Sequence, residues 1–276
     1  MEKLLLNEYK EIFKSKNNKP NWAVHKVAEG HQDELVHCSI PFVGKQYVGQ
    51  KIKILVYASA ENLSGYEGHL DCDEYAINRH RNCFEKTKDS EATFFPNVHI
   101  RPMEDGCLAI VALYTLLKLQ EVGDIKPADF FEMIAFANYG KYTVSSKTNE
   151  DYAGIADMLK ESHNYIRKDV GLLQPNYIIM PKTIYQTDCK FIEEIKGNAV
   201  ILPIYQINAG NINRWIKKYV IARNEARKEE SDLPDLVRKW YHEISRTGLS
   251  GISGKTYENF LYVFNYMDDV IQNYTL

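Results

Sequence analysis

The chain has 276 residues, of which 45% are hydrophobic, and its formal net charge is -3 at pH 7. This composition is that of an ordinary globular protein, and no stretch approaches the roughly 18 apolar residues that a membrane-spanning helix needs. The first residues are charged and lack a secretory signal, so the sequence predicts a cytoplasmic protein without a membrane partner.

Apolar residues recur at helical spacing near the N-terminus and predict a capping helix over about residues 3–15. The β-branched run at 52–58 predicts a buried parallel strand. Residues 67–105 are polar and irregular, and a long loop of this kind inside a domain is usually functional or disordered. An apolar helix is predicted over about 106–121, followed by a second strand at 134–139.

The second half of the chain continues this alternation. A helix is predicted over 151–170, a third strand at 176–180, a fourth at 199–204, and a C-terminal helical segment over about 211–276. Strands that alternate with helices favour a parallel sheet covered on both faces. The sequence therefore predicts a single α/β domain over residues 1–276, a three-layer α/β/α fold with a central four-stranded, mainly parallel sheet.

The five cysteines are scattered and form no C-x-x-C pair: Cys38, Cys72, Cys83, Cys107 and Cys189. A disulfide framework usually has an even number of cysteines, and zinc or iron–sulfur sites need closely spaced ligands. We therefore predict reduced, structural cysteines, with no metal site and no cofactor.

Polar side chains that follow the predicted strands are the candidates for chemistry, because open parallel sheets bind ligands beyond the carboxyl ends of their strands. In chain order they are Ser59, Glu61 and Asn62, then Asn138, Tyr139 and Lys141, then Lys182 and Thr183, and finally Tyr205, Gln206 and Asn208. This set is rich in amides and poor in nucleophile–base pairs. It suits a flat hydrogen-bonding ligand such as a nucleobase.

Segments at these strand ends resemble, in the same order, motifs of the uracil-DNA glycosylase superfamily. Phe136-Ala137-Asn138 is similar to the strand end whose Asn hydrogen-bonds the flipped base in that family. Residues 173–183 resemble the family's third strand and helix start, and residues 200–208 its last strand and minor-groove loop. The resemblance covers about residues 40–215 and implies the family's fold and a DNA partner.

The first loop departs from the family, which has a Gly-x-(Asp/Asn/Glu)-Pro motif where this chain has residues 57–62. The water-activating group maps onto Ser59, Ala60 or Glu61, depending on register. We favour Glu61, the only carboxylate there, as a general base or as a stabiliser of an oxocarbenium-like sugar, with Ser59 or Asn62 holding water. The alternative is that Glu61 and Asn62 cap a helix beginning at Leu63.

The resemblance also implies the contacts to the base and to DNA. Asn138 would read the base edge, Gln206 stands where the family usually has His, and Tyr66 or Phe95 would stack on the base. The predicted DNA contacts are Asn208, Lys182, Arg214, Lys217 and Lys218, the last three from a basic stretch over residues 214–228. In the structural alternatives, Asn138 caps a turn, the aromatic residues belong to the core, and the basic stretch is the solvated face of a helix.

The implied function is that of a monofunctional DNA glycosylase, which flips out a damaged or modified base and hydrolyses its N-glycosidic bond without metal or cofactor. DNA repair, or defence against phages with modified DNA, would be its setting. The altered motifs favour an alternative, a catalytically inactive glycosylase-fold protein that binds DNA or a protein partner. An enzyme of free nucleosides or nucleotides is a third hypothesis, which the negative net charge suits better.

Overall fold

The computed structural model describes residues 1–17, 35–37, 40–60, 102–123, 127–144, 156–246 and 254–275. Its strands are β1 (Leu35–His37), β2 (Phe42–Val43), β3 (Ile54–Ala60), β4 (Ala135–Gly140), β5 (Tyr142–Val144), β6 (Tyr177–Pro181) and β7 (Val200–Ile204). Its α-helices are α1 (Glu2–Asn17), α2 (Pro102–Leu119), α3 (Pro127–Phe130), α4 (Ala156–Leu173), α5 (Lys182–Ile195), α6 (Ala209–Asn211), α7 (Lys217–Ala222), α8 (Asp235–Arg246) and α9 (Gly254–Thr275). A π-helical turn, Ile212–Ile216, joins α6 to α7.

The main sheet has five strands in the order β2-β4-β3-β6-β7. The four predicted strands are confirmed, and they pair in parallel as β4-β3-β6-β7. Strand β2 pairs antiparallel with β4 and forms one edge of the sheet. The sequence did not predict it, because two residues are too few to show the alternation of a strand. Strands β1 and β5 form a separate antiparallel pair.

Side chains alternate between the two faces of the sheet, and each face packs against its own set of helices. Ile54, Val56 and Ala58 of β3 belong to the core shared with α2, α8, α9 and the segment from Ile207 to Val220, which we call the α2/α9 face. Leu55 and Tyr57 belong to the core shared with α1, α4 and α5, which we call the α1/α4/α5 face. Helices therefore cover both faces of an α/β sheet.

The predicted helices at the N-terminus, before β4 and before β6 are present as α1, α2 and α4, with ends shifted by a few residues. The helix that follows β6 is the 14-residue α5, which is bent at Asp188, where φ and ψ of -123° and 21° are not helical. The C-terminal segment is a succession of short helices and turns before the long α9. No helix in the described ranges is long and apolar enough to cross a membrane.

The topology indicates which edge of the sheet is the candidate ligand site. The chain passes from β3 to β4 on one side and later to β6 on the other side of β3, so the winding direction reverses beside β3. Open α/β sheets bind ligands beyond the carboxyl ends of their strands at such a switch point. The carboxyl edge contains the ends of β3, β4, β6 and β7, which are the positions singled out from the sequence.

Gly44 is required by a close backbone approach between β2 and the turn before β4. A Cβ atom at residue 44 would lie 2.3 Å from the carbonyl carbon and oxygen of Glu132. We expect Gly44→Ala to lower the free energy of unfolding by about 1–3 kcal/mol, because the backbone must shift to relieve the overlap. Urea denaturation measures the loss. Gly49→Ala, in the same turn with no atom within 4 Å of the added Cβ, is the control and should change little; equal losses in the two variants would contradict this explanation.

Candidate functional site

Asn138 lies on β4 near the carboxyl edge, opposite Ala58 of β3, and only 6% of its surface is exposed. Strand alternation places its side chain on the α2/α9 face, together with Phe136. In the part of the chain that the structure describes, no hydrogen bond of the Asn138 side chain is found, and its amide is not among the fully buried polar atoms that lack a partner. An amide that makes no bond within the protein can pair with a ligand.

The loop after β7 is folded back against the protein. Ile207 is fully buried, and the Oδ1 atom of Asn208 accepts a hydrogen bond of 2.9 Å from the backbone N–H of Asn211. Asn208 is thereby the N-cap of α6. The Nδ2 group of Asn211 donates to the backbone carbonyl of Gln206 at 3.0 Å, which leaves the half-buried Gln206 side chain beside the carboxyl edge.

Asn138 and the segment after Gln206 lie at the carboxyl edge on the same face of the sheet, but Asn138 is on β4 and Gln206 follows β7. They are three strand spacings apart, about 14 Å. Ser59 lies at the end of β3, but alternation from Ala58 turns its side chain toward the opposite face. The predicted residues Glu61, Asn62, Tyr66 and Phe95 lie outside the described residues.

Lys141 was singled out by its position after the second strand, and the structure makes it part of the core. Its Nζ atom lies 2.7 Å from Oδ2 of Asp169, and both side chains are fully buried. The hydroxyls of Tyr9 and Tyr57 donate to the same carboxylate at 2.6 and 3.0 Å. Burial raises the pKa of Asp169, while Lys141 and the two tyrosines act in the opposite direction. This buried tetrad joins α1, α4 and the sheet.

A second polar cluster on the α1/α4/α5 face was not anticipated. The Tyr139 hydroxyl donates to Asp188 at 2.6 Å, and Nε2 of His163 lies 2.7 Å from the same carboxylate oxygen. The His163 ring stacks on Phe191 with centroids 3.5 Å apart. Burial and the adjacent Asp188 raise the pKa of Tyr139 far above its usual value, so the phenol stays protonated. The bend of α5 at Asp188 allows one carboxylate to accept from both partners.

The basic stretch 214–228 divides into two groups. Arg223 pairs with Asp269 at 2.7 Å and Lys228 with Asp268 at 3.0 Å, while Arg227 lies 4.0 Å from Glu229. Among the described residues, Arg214, Lys217 and Lys218 have no carboxylate at ion-pair distance, and neither has Lys182 at the start of α5. The four residues without such a partner are the predicted phosphate contacts. Their charge therefore stays available at the surface.

Two aromatic side chains lie among these cations: Tyr205, which the sequence placed among the residues that follow the strands, and Trp215, which it did not single out. The rings of Tyr205, directly after β7, and Trp215, in the π-helical turn, are nearly parallel at 13° with centroids 6.4 Å apart. The Nζ atom of Lys182 lies 4.9 Å from the Tyr205 ring centroid. We call Tyr205 and Trp215 the aromatic pair. An aromatic residue after a strand and another in an irregular helix share no periodic signal that sequence inspection could find.

Comparisons of the chain with protein-family models, with curated proteins and with solved structures found no match. The described ranges contain no group of three or more His, Cys, Asp or Glu side chains arranged to hold a metal ion.

Proposed function

We propose that this protein is a DNA glycosylase with a fold of the uracil-DNA glycosylase type, which binds a base flipped out of DNA at the carboxyl edge of its sheet and hydrolyses the N-glycosidic bond. Asn138 reads the base edge, and the first loop supplies the water-activating group, for which Glu61 is our candidate. Lys182, Arg214, Lys217 and Lys218 hold DNA phosphates. Repair of damaged bases or defence against modified phage DNA is the proposed setting.

The observation that carries this proposal is the position of Asn138, which is 6% exposed near the carboxyl edge and whose side chain makes no hydrogen bond among the described residues. At the same end of the sheet, Lys141 is ion-paired with Asp169, and Ser162 accepts from the backbone N–H of Lys141 at 2.8 Å. An amide offers both a donor and an acceptor, which matches the edge of a nucleobase. Its position beside the switch point is where an α/β sheet of this topology binds ligands.

A second candidate function, DNA binding without excision, is favoured by the loop after β7. Gln206 is a neutral amide that cannot titrate, while Ile207 is buried and Asn208 caps α6. These residues anchor the loop, and the cations beside it still offer phosphate contacts. A base-excision assay separates the two candidates, because both predict DNA binding and only the first predicts abasic sites.

The proposed function is tested with DNA duplexes that each carry one of a panel of altered bases. Wild type is expected to create alkali-labile abasic sites in at least one duplex. Asn138→Leu, which keeps the volume and removes the amide, should weaken recognition of that base about 5- to 150-fold, the equivalent of about 1–3 kcal/mol for contacts to a base edge. It should not lower the free energy of unfolding, because no internal hydrogen bond is lost.

Asn176→Ala is the matched control at the opposite edge of the sheet. The Oδ1 atom of Asn176 accepts from the backbone N–H of Lys53 at 2.9 Å, so this variant should lose stability while keeping excision. Abasic sites formed equally by wild type and Asn138→Leu would refute the role of Asn138. DNA binding by wild type without excision from any duplex would select the second candidate.

A further inference from the structure

The aromatic pair forms a rigid, partly exposed surface. Trp215 is 50% exposed, while Ile212 and Ile216 at the two ends of the same π-helical turn are fully buried. These anchors fix the turn to the α2/α9 face and leave the indole in solvent. π-Helical turns are rare and occur frequently at functional sites. Exposing so large an apolar ring has a cost in water, which a stacking partner would remove.

Tyr205 is held from beneath by the core. Its backbone N–H donates to the hydroxyl of Tyr266 at 3.1 Å, and the two rings lie 5.5 Å apart. Tyr266 is 3% exposed, and its ring meets that of Tyr219 edge-on at 5.4 Å. The pair therefore rests on the buried Tyr266 of α9 and, behind it, the partly buried Tyr219 of α7. Such support keeps ring orientation fixed before any ligand arrives, which lowers the entropic cost of stacking.

The described charged residues that adjoin the pair are cations. Arg214 precedes Trp215, and Lys217 and Lys218 follow it, while Lys182 lies against Tyr205. Arg214 and Lys218 are exposed, and Lys217 lies 5.8 Å from the ring centroid of Tyr262. An aromatic surface bordered by unpaired cations is complementary to a chain of bases and phosphates. A neutral peptide would leave the charges without a partner, and an acidic peptide without aromatic residues would leave the ring without one.

The distance across the sheet decides which base this surface can hold. Asn138 is on β4 and Tyr205 follows β7, three strand spacings away in the order β4-β3-β6-β7, which is about 14 Å. One base cannot contact both. The aromatic pair must therefore serve a base that flanks the one at Asn138.

We infer that Trp215, supported by Tyr205, is a stacking platform for an unpaired base of single-stranded DNA, with Arg214, Lys218 and Lys182 binding the adjoining phosphates. The inference rests on the proposed function and adds the strandedness of its substrate. Bases in a duplex are stacked on each other and offer no free face, so the platform selects single-stranded or locally opened DNA. The protein consequently binds an unpaired strand more tightly than the corresponding duplex.

The test is fluorescence anisotropy with a labelled thymidine 12-mer, as a single strand and as a duplex with its complement. Trp215→Ala should weaken single-strand binding about 5- to 150-fold, the range for stacking of one base on an aromatic residue. Trp215→Phe should retain most of the affinity. Arg214→Gln should lower the slope of log affinity against log salt by about 0.7, the value for one phosphate contact to a single strand.

Two control variants match these changes. Ile221→Ala removes an apolar side chain that is 49% exposed on α7, and Lys51→Gln removes an exposed cation that precedes β3 at the amino edge. Both should bind as wild type does. Equal binding by Trp215→Ala and wild type, a preference for duplex, or tighter binding of a uridine 12-mer RNA would each overturn the inference.

Failure of the proposed function and failure of this inference give different results. Single-strand binding that depends on Trp215, without excision of any base, would support the stacking platform and contradict the glycosylase activity. Excision that is unaffected by Trp215→Ala on opened and on paired DNA would support the glycosylase activity and contradict the platform.

Discussion

Lys141→Met is expected to lower the free energy of unfolding by about 3–5 kcal/mol, because it leaves a buried carboxylate without its counter-charge. Among the described residues, Asp169 would keep the two phenol donors, Tyr9 and Tyr57, in a site with no exposed surface. Burial already raises its pKa, and the variant removes the group that most lowers it. Urea denaturation at neutral pH measures the loss.

The pH dependence identifies the cause of this loss. In Lys141→Met the folded state holds the Asp169 proton more tightly than the unfolded state does, so the variant gains stability as the pH falls through the raised pKa of Asp169. The deficit relative to wild type should therefore shrink in acid. Lys141→Met combined with Asp169→Asn should recover much of the loss, because no buried charge remains.

Lys168→Met is the matched control, since Lys168 precedes Asp169 and likewise joins α4 to α1. Its Nζ atom lies 2.6 Å from Glu8, but the two side chains are 44% and 34% exposed. Such a pair contributes about 0–1 kcal/mol. A loss in Lys141→Met no larger than that in Lys168→Met would contradict the role assigned to the buried tetrad.

Glu61→Gln is expected to reduce base excision about 10²–10⁴-fold while leaving DNA binding unchanged, if the proposed glycosylase uses Glu61 to activate water or to stabilise the sugar cation. The substitution keeps the size of the side chain and removes its negative charge. Single-turnover excision of the preferred base measures the chemical step, and anisotropy with the same duplex measures binding.

Ser59→Ala and Glu121→Gln accompany this variant. Ser59 is the other candidate in the first loop, so a large loss in Ser59→Ala with full activity in Glu61→Gln would reassign the water-activating group. Glu121 is an exposed carboxylate just after α2, near the amino edge of the sheet, where Gln120 accepts from the backbone N–H of Ile52 at 3.2 Å. Glu121→Gln should excise at the wild-type rate.

The sequence predicted the four parallel strands because buried strands are short, β-branched runs, as at 54–60 and 200–204. It also located Asn138 at the carboxyl edge, since that inference needs only the end of a strand. The sequence did not predict which distant segments interact. Lys141 follows β4 and Asp169 lies in the last turns of α4, and nothing in the type of either residue shows that they pair. Trp215 was not predicted as a site residue, because a π-helical turn breaks the 3.6-residue period by which a helical face is recognised.

The hydrogen bond between Tyr9 and Asp169 joins residues 160 positions apart. At about 5–20 residues per second, a ribosome needs roughly 8–32 s to add the second after the first. Through that interval the apolar side of α1, with Leu5, Leu6 and Tyr9, has no partner from the later helices against which it packs. Contacts so distant in sequence also slow folding. The nascent chain therefore keeps this apolar surface without its native partners until α4 has been made.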